Sequence, residues 1–339
     1  MRDSFVLSGK TILPGETTIV DLPLPRLKAH SSLSMPVHII HGKQDGPVLF
    51  VSAAIHGDEL NGIEIVRRLL ATKAISRLKG TLVAIPIVNA YALMNHSRYL
   101  PDRRDLNRAF PGSETGSLGA RLAHLFLNEI VNQCTHGIDL HTGSNHRTNL
   151  PQIRGNLDDP ETETLARSFG VPVLLNSAMR DGSLRAAAAD LGIPTLLYEA
   201  GEALRYNEVA IRAGTAGIIG VMRTLGMLQP LKKQLKPKRD PYIARNSYWI
   251  RAPESGMLRT VSSLGSQVSK GDILGYVDYP SDTDPLPIMA GDNGIVIGRL
   301  ELPIVHEGDA VYHIARFKAD SNDVADWVDT FQLGHEDAS

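Results

Sequence analysis

Short apolar runs alternate with helical patterns along the first two thirds of the chain. Residues 47–55 are nearly all apolar, as expected of a strand buried on both faces of a sheet. Similar runs cover 137–141 and 194–198. Between these runs, apolar residues recur at helical spacing over 60–70 and 118–130. The alternation predicts an α/β domain with helices on both faces of its sheet.

Helix start and stop signals support this prediction. Asp159 followed by proline fits an N-cap and a first helical residue, and Gly170 fits the end of that helix. A last helix of the domain is predicted over about 207–225. We also expect Asp58 to cap the helix after the first strand, which places Glu59 in its first turn.

The chain changes character after residue 228. Residues 229–241 contain three prolines and five basic residues, which predicts a linker. Residues 242–318 show alternating apolar positions and contain twice the pattern Ala-x-x-x-Gly followed by Val-x-x-Gly-Asp. We therefore predict an α/β domain at 1–228, a small all-β domain at 242–318 and an acidic tail at 319–339.

Two imidazoles and a carboxylate fall at the ends of predicted strands. His56 and Glu59 lie in His-Gly-Asp-Glu after the first strand, and His141 ends a later one. This is the ligand set of a catalytic zinc site, in which one position stays open. A single His-x-x-Glu is a weak signal, but carboxyl ends of strands are where α/β sheets bind ligands. Asp139 fits a carboxylate that orients His141, or simply a buried aspartate.

Glu199 is the candidate for the proton transfer that such a site requires. It follows the predicted buried strand at 194–198, which places it at a third strand end. A carboxylate near an activated water can act first as general base and then as general acid. Glu202 is the alternative, but its position fits a loop or a first helical turn, where a solvated or capping carboxylate is expected.

Residues 98–112 form a second concentration of charge. Their proline and glycine content predicts a loop, and the loop carries four arginines. Guanidinium groups bind carboxylates in a bidentate manner, which suits an anionic substrate. A solvated basic loop is the alternative, above all for Arg103 and Arg104, to which we assign no role. Arg154 and Arg185 are candidates for binding a second acidic group, although both equally fit surface positions.

Four motifs together resemble those of the succinylglutamate desuccinylase and aspartoacylase family. They are His56-Gly-Asp-Glu59, Asp105-Leu-Asn-Arg108, Asp139-Leu-His-Thr-Gly143 and Tyr198-Glu-Ala-Gly201. The resemblance implies a three-layer α/β/α domain with a mixed sheet like that of zinc carboxypeptidases, with one zinc ion per chain. It also implies roles for seven residues: His56, Glu59 and His141 as zinc ligands, Glu199 as acid/base, Asn107 and Arg108 for the substrate α-carboxylate, and Arg98 for polarising the scissile carbonyl.

The repeat in 242–318 resembles the small biotinyl or lipoyl carrier barrel. A carrier needs a lysine at its central hairpin, but no lysine lies between Lys270 and Lys318. A β cap over the substrate pocket, or an oligomer interface, is therefore the better hypothesis. Family members place such a domain beside the active site, and aspartoacylases draw a pocket tyrosine from it. Tyr276, Tyr279 and Tyr312 are the open alternatives for that tyrosine.

Composition excludes some classes of function. The net charge of −2 and the absence of a dominant basic stripe argue against nucleic acid as a partner. Cys134 is the single cysteine, so no intrachain disulfide can form. The chain lacks a signal-peptide pattern and an apolar stretch of membrane-spanning length. We expect a cytoplasmic protein without a membrane partner.

These observations predict zinc-dependent removal of the acyl group from an N-acyl amino acid or a similar small carboxylated amide. A zinc carboxypeptidase acting on small peptides is one alternative, because it would use the same site. A noncatalytic metal-holding binding protein is the other, although binding alone needs no Glu199. The acyl group, the amino acid and the oligomeric state stay open, with a homo-oligomer among the options.

Overall fold

The computed structural model describes residues 2–26, 32–230, 239–279, 284–318 and 321–336. The first part contains the strands β1 (Phe5–Leu7), β2 (Lys10–Ile12), β3 (Thr17–Pro23), β4 (Ser34–His41), β5 (Val48–Ala53), β6 (Thr81–Ile85), β7 (His136–Gly143), β8 (Arg147–Gly155), β9 (Val173–Asn176) and β10 (Thr195–Glu202). Its helices are α1 (Asn61–Leu70), α2 (Ala90–Met94), α3 (Leu118–Glu129), α4 (Pro160–Phe169), α5 (Leu184–Asp190) and α6 (Glu208–Thr224).

The second part consists mainly of short strands and ends in one helix. The strands are β11 (Tyr242–Ala244), β12 (Asn246–Arg251), β13 (Gly256–Thr260), β14 (Gln267–Val268), β15 (Ile273–Asp278), β16 (Leu286–Met289), β17 (Gly294–Leu300), β18 (Ile304–Val305) and β19 (Ala310–Arg316). The helix is α7 (Ser321–Glu336).

A 13-stranded mixed sheet forms the centre of the molecule, and the mixed α/β fold is confirmed. Its strand order is β12-β19-β17-β8-β10-β7-β5-β6-β4-β3, with β9, β11 and β14 paired beside this path. Strands β10, β7, β5 and β6 are parallel to one another, so their carboxyl ends meet at one edge. The strands predicted to carry the candidate residues are therefore neighbours.

Helices cover both faces of this sheet, as the alternation of the sequence predicted. Leu49 and Val51 of β5 lie in one core with residues of α1, α4 and α6. Phe50 points to the opposite core, where it packs edge-on against Phe126 of α3. Because successive strand residues face opposite sides, an apolar residue at every position serves two cores.

The predicted helix cap is confirmed at α4 and wrong at α1, and the last helix predicted for the domain is α6. The Asp159 carboxylate accepts from the Thr162 amide at 2.8 Å, and Gly170 ends α4 with a left-handed φ of 85°. Helix α1 instead begins at Asn61 with no side-chain cap, so Asp58 and Glu59 precede it. Both residues lie in the turn between β5 and α1, at the edge of the sheet, and so are not part of the helix.

The predicted internal repeat corresponds to two intertwined β units. Gly256 of the first unit pairs with Val305 of the second, and Gly294 of the second pairs with Val268 of the first. The Gly-Asp turns also contact the opposite unit, since the Gly271 amide of the first unit donates to the Ala290 carbonyl of the second at 2.8 Å. Each unit thus completes the other, and β16, β15, β13 and β18 form a separate four-stranded sheet. The likeness to a carrier barrel stays a prediction.

The β units are joined to the main sheet by backbone pairing. Strand β17 pairs with β8, where Gly298 lies opposite Asn149, and β11 pairs with β9. Helix α7 falls within the predicted acidic tail, and its Phe331 is buried in the core that includes α6. Residues 231–238 of the predicted linker and the ends of the tail lie outside the described residues. Among the described helices, none combines the length and apolarity needed to cross a bilayer.

Candidate active site

The turn after β5 has a backbone shape that only certain residues allow. Ala54, which is fully buried, adopts a left-handed φ of 53°, an uncommon conformation for a residue other than glycine. At Gly57 a Cβ atom would lie 2.0 Å from the carbonyl carbon of Ala92 in α2. The glycine of the His-Gly-Asp-Glu motif is therefore required for the turn to pack, and this packing directs His56 and Glu59 to the same point.

His56, Glu59 and His141 form one buried group. Nδ1 of His56 lies 2.7 Å from Oε1 of Glu59, and Nδ1 of His141 lies 2.8 Å from Oε2 of the same carboxylate. Their potential ligand atoms all lie within 4.8 Å of one another. Burial raises the pKa of Glu59, but the two imidazoles outweigh it and hold that pKa well below its ordinary value. The group can hold a single divalent cation.

Each imidazole is oriented by a second carboxylate. Nε2 of His141 lies 2.8 Å from Asp139, whose other oxygen accepts from the Ser52 hydroxyl at 2.7 Å. Nε2 of His56 lies 3.0 Å from Asp105. Burial lowers the pKa of His141, yet Asp139 and Glu59 raise it well above its ordinary value. Such pairs leave Nδ1 of both rings for an ion, which is the usual arrangement around histidine ligands.

Glu199 lies beside this group, although within its strand rather than at the end. Strand β10 continues to Glu202, with an irregular register between the two glutamates. Glu199 pairs with His141 of β7, and its carboxylate accepts a hydrogen bond from the Asn149 amide of β8. Nε of Arg154 lies 3.6 Å from the other carboxylate oxygen. The Asn149 amide and the Arg154 guanidinium thus position the Glu199 carboxylate.

Glu202 has a different environment from Glu199. Its carboxylate pairs with Arg205 at 3.1 Å, and it does not line the cavity that Glu199 lines. The structure therefore separates the two glutamates that the sequence left as rivals for the proton-transfer position.

The loop that contains Arg98 and Arg108 closes over the histidines. Arg98 donates to Asp105 at 2.8 Å and to Glu59 at 3.3 Å, which ties the loop to the buried group. The Asn107 side chain accepts from the Leu184 amide at the start of α5 at 2.9 Å. Arg108 is exposed at the cavity, whereas Arg103 and Arg104 do not line it.

All seven predicted site residues line one cavity of about 380 Å³. Arg154 and Arg185 line it as well, so neither is merely a surface residue. The wall also includes residues that the sequence did not single out: Arg147, Asn149, Arg180, Trp249 and Arg251. The cavity therefore combines a metal-binding group, the Glu199 carboxylate and an excess of guanidinium groups.

The sequence profile of the succinylglutamate desuccinylase/aspartoacylase catalytic domain matches residues 45–225, which is more than half of the chain and includes every predicted site residue. The chain belongs to this family. The expectation drawn from the four motifs is thereby confirmed, and the matched segment ends near the last residue of α6.

Individual family members are similar along most of their length. The N-alpha-acetyl-L-2,4-diaminobutyric acid deacetylase of Halomonas elongata is 24% identical over 301 residues, which covers 85% of this chain and 87% of that protein. The crystal structure of a succinylglutamate desuccinylase/aspartoacylase from Rhodobacter sphaeroides has a TM-score of 0.79 and 24% identity, and the match covers 89% of this chain and 95% of that one.

A second solved structure is the product-bound ectoine utilization protein EutE (DoeB) from Ruegeria pomeroyi. Its TM-score is 0.79 at 23% identity, and the match covers 93% of this chain and 96% of that one. The likeness extends beyond the matched family profile into the C-terminal β units. At these identities it shows a shared fold.

The C-terminal part contributes a tryptophan and an arginine to the cavity of this family member, and none of the three candidate tyrosines. Tyr312 is buried and donates to the Leu274 carbonyl. Trp249 and Arg251 line the cavity instead. They are two residues apart in β12 and so share a face, a signal that could have been found in the sequence.

Asp105 is a further residue to which the sequence analysis assigned no role. It stands in the Asp-Leu-Asn-Arg motif, but its contact with His56 depends on how the loop folds back over β5.

Proposed function

We propose that this protein is a zinc-dependent amidohydrolase that removes the acyl group from an N-acyl amino acid or a similar small carboxylated amide. The observation that carries the proposal is the shared cavity, in which the His56, Glu59 and His141 group faces Glu199. A binding protein needs no such carboxylate beside its metal ligands. The deacylase names of the family and of the Halomonas relative support the same class of reaction.

The donor set fits zinc. Two imidazole nitrogens and one carboxylate are typical protein ligands of catalytic zinc, and Asp105 and Asp139 orient the rings as outer carboxylates. Zinc bound there supplies Lewis-acid activation of water and of a carbonyl oxygen. Sites of this kind also accept other divalent ions, so metal content has to be measured.

Glu199 moves the proton in the proposed reaction. It accepts a proton from the attacking water, whose oxygen forms a bond to the amide carbonyl carbon. The carbon–nitrogen bond then breaks, and Glu199 delivers the proton to the leaving nitrogen. The products are a carboxylic acid and an amino acid with a free amine. We assign Arg98 to the carbonyl oxygen of the substrate, because its ion pairs with Glu59 and Asp105 hold its guanidinium beside the metal-binding group.

Asn107 and Arg108 are assigned to the α-carboxylate. Three further guanidiniums, Arg154, Arg180 and Arg185, lie around this end of the cavity. Burial and the charge of Arg154 lower the pKa of Arg185 to about 10. This concentration of positive charge favours an anionic amino acid over the cationic diaminobutyrate named for the Halomonas relative.

The region 242–318 is proposed as a cap that shapes the pocket. Trp249 and Arg251 of this region line the cavity, which supports that role over a carrier role.

The decisive experiment is to measure primary amine release by zinc-loaded protein. The panel contains N-acetyl, N-succinyl and N-formyl amino acids together with small peptides, and a chelated sample is the control. Chelator-sensitive release from an acyl amino acid class is expected. Cleavage restricted to peptides would favour the carboxypeptidase alternative, and zinc binding without turnover on any compound would favour a binding protein.

A further inference from the structure

Two clusters of basic residues line the cavity, one towards each end of strand β8. Arg154 near the end of β8 interacts electrostatically with Arg180 and Arg185. Arg147 at the start of β8 interacts instead with Arg251 and Asp309. Arg147 and Arg154 are seven residues apart in β8, whose register with β10 is irregular between Asn149 and Gln152. Glu199 pairs with β8 between these two ends.

The second cluster is built across the two parts of the chain. Arg147 donates to the Ala310 carbonyl of β19 at 3.0 Å, and its guanidinium carbon lies 5.4 Å from the ring centre of Trp249. Arg251 donates to the Gly308 carbonyl at 2.7 Å. A backbone oxygen therefore accepts from one edge of each guanidinium, while both side chains line the cavity.

Trp249 forms a rigid apolar surface within this cluster. Its ring stacks on His313 with centroids 4.4 Å apart and planes 9° apart. His313 is buried, and burial together with Arg154 and Arg180 lowers its pKa to about 3, so the ring is neutral. The indole is held between the neutral imidazole and the Arg147 guanidinium.

The positive charge of this cluster lacks a close partner on the protein. Among the described residues, no carboxylate lies within ion-pair distance of Arg147 or Arg251, although Asp309 acts on Arg147 from further away. The Asp309 carboxylate accepts instead from the His306 amide at 2.8 Å. Two guanidiniums held close together without a counter-ion favour an anionic ligand.

We propose that Arg147, Trp249 and Arg251 form an anion subsite for a carboxylate at the acyl end of the substrate. This inference rests on the proposed function. The acyl group is then one half of a dicarboxylic acid, with its free carboxylate on the two guanidiniums and the indole holding the Arg147 guanidinium in place. The amino acid end takes the opposite cluster, because Arg108 acts electrostatically on Arg180 there. The scissile bond falls between them, near Glu199.

The test compares three acyl groups on one amino acid. Zinc-loaded protein is given the N-succinyl derivative, its uncharged N-(3-carbamoylpropanoyl) isostere and the N-acetyl derivative. We expect kcat/KM to favour succinyl over the isostere by about tenfold or more, a factor equivalent to about 1.4 kcal/mol. Arg251→Gln should lower this ratio about tenfold, chiefly through KM, because it removes charge from a binding contact.

The matched control is Arg259→Gln. Arg259 is an exposed arginine of β13 that lies against Tyr276 and does not line the cavity, so the ratio should be unchanged. A ratio near one in the unmodified protein overturns the inference. So does an Arg251→Gln variant that loses equal activity on succinyl and isostere.

A failure of the proposed function is distinguishable from a failure of the subsite. If acetyl or succinyl derivatives are hydrolysed without selectivity, only the subsite is wrong. If none is hydrolysed, the proposed function fails, and calorimetric titration of the same compounds decides the subsite. Tighter binding of the succinyl compound than of its isostere, lost in Arg251→Gln, supports it, and equal binding overturns it.

Discussion

The side-chain amide of Asn149 donates a hydrogen bond to the Glu199 carboxylate. Asn149 is itself buried, and it lies opposite Gly298 of β17 in the sheet. A Cβ atom at residue 298 would lie 3.0 Å from the Asn149 side-chain oxygen. A strand of the C-terminal part therefore packs against the residue that positions the candidate base.

Replacing Asn149 should slow turnover more than it weakens binding. In Asn149→Ala the Glu199 carboxylate loses the donor that orients it. We expect kcat to fall about 10- to 100-fold while KM changes little. The loss should be smaller than the factor of about 10²–10⁴ that proton transfer itself contributes. Steady-state kinetics on one acyl amino acid measures both constants. A rise of KM without a change in kcat would contradict the positioning role.

Gly298→Ala should act in the same direction through Asn149. The added methyl group crowds the amide, so a smaller loss of kcat is expected. Gly291→Ala is the control, because its Cβ meets only the Tyr248 ring at 3.6 Å, an ordinary contact. Equal effects of the two glycine variants would show that the contact with Asn149 is irrelevant.

Glu199→Gln should abolish turnover while leaving the metal bound. The amide keeps the shape of the side chain but cannot accept the proton, so a loss of at least about 10²–10⁴ in kcat is expected. Zinc content after dialysis and amine release are the measurements. Glu202→Gln is the matched control, because Glu202 pairs with Arg205 away from the cavity and should keep its activity. Near-normal turnover of Glu199→Gln would assign the base elsewhere.

Arg108→Ala should chiefly weaken binding of carboxylated substrates. Arg108 is exposed at the cavity and its charge suits a carboxylate, so we expect KM to rise about tenfold or more, as for loss of a charge-assisted hydrogen bond. The comparison compound is the corresponding amide without a carboxylate. An equal loss on both compounds would refute the assigned contact.

The sequence was sufficient for features that depend on local pattern. The buried strands, the cap at Asp159 and the order of the four motifs all follow from short segments of chain. The placement of Glu199 was less accurate, because Tyr198-Glu-Ala-Gly resembles a strand end. In the structure β8 and β7 flank this segment, and their hydrogen bonds extend β10 to Glu202.

The residues that the sequence missed depend on pairing between distant strands. Asn149 and Arg147 acquire their neighbours when β17 pairs with β8, and no local pattern specifies that register. Trp249 reaches the cavity only because β12 and β19 extend the same sheet. The cap predicted at Asp58 is wrong for another reason. The turn at Ala54 and Gly57 places His56 and Glu59 at the site, and the helix begins only after it, at Asn61.

Asp105→Asn should weaken zinc binding. The Asp105 carboxylate lies 3.0 Å from Nε2 of His56, and loss of such an outer partner typically costs 10- to 100-fold in metal affinity. Competition with a chromogenic chelator measures the affinity. Asp102→Asn is the control from the same loop, because Asp102 accepts from the backbone amides of Arg104 and Gly119 and does not line the cavity. Unchanged affinity in Asp105→Asn would show that the carboxylate does not support the ligand.

His313 should make the protein less stable in mild acid. Burial, then Arg154 and Arg180, lower its pKa to about 3 in the folded state, against an ordinary value near 6.5. Below about pH 6.5 the unfolded chain therefore binds a proton that the folded chain does not. The free energy of unfolding should fall as the pH drops towards 3, by up to about 1.4 kcal/mol per pH unit from this residue.

Urea denaturation at several pH values between about 4 and 7 tests this contribution. His313→Asn removes the titrating ring, so its free energy of unfolding should depend on pH less steeply than that of the unmodified protein, by close to one proton. The slope is compared rather than the absolute stability, because the variant also loses the stacking contact with Trp249. His306→Asn, at an exposed position, should keep the original slope. An unchanged slope in His313→Asn would mean that the buried ring is not the source of the acid sensitivity.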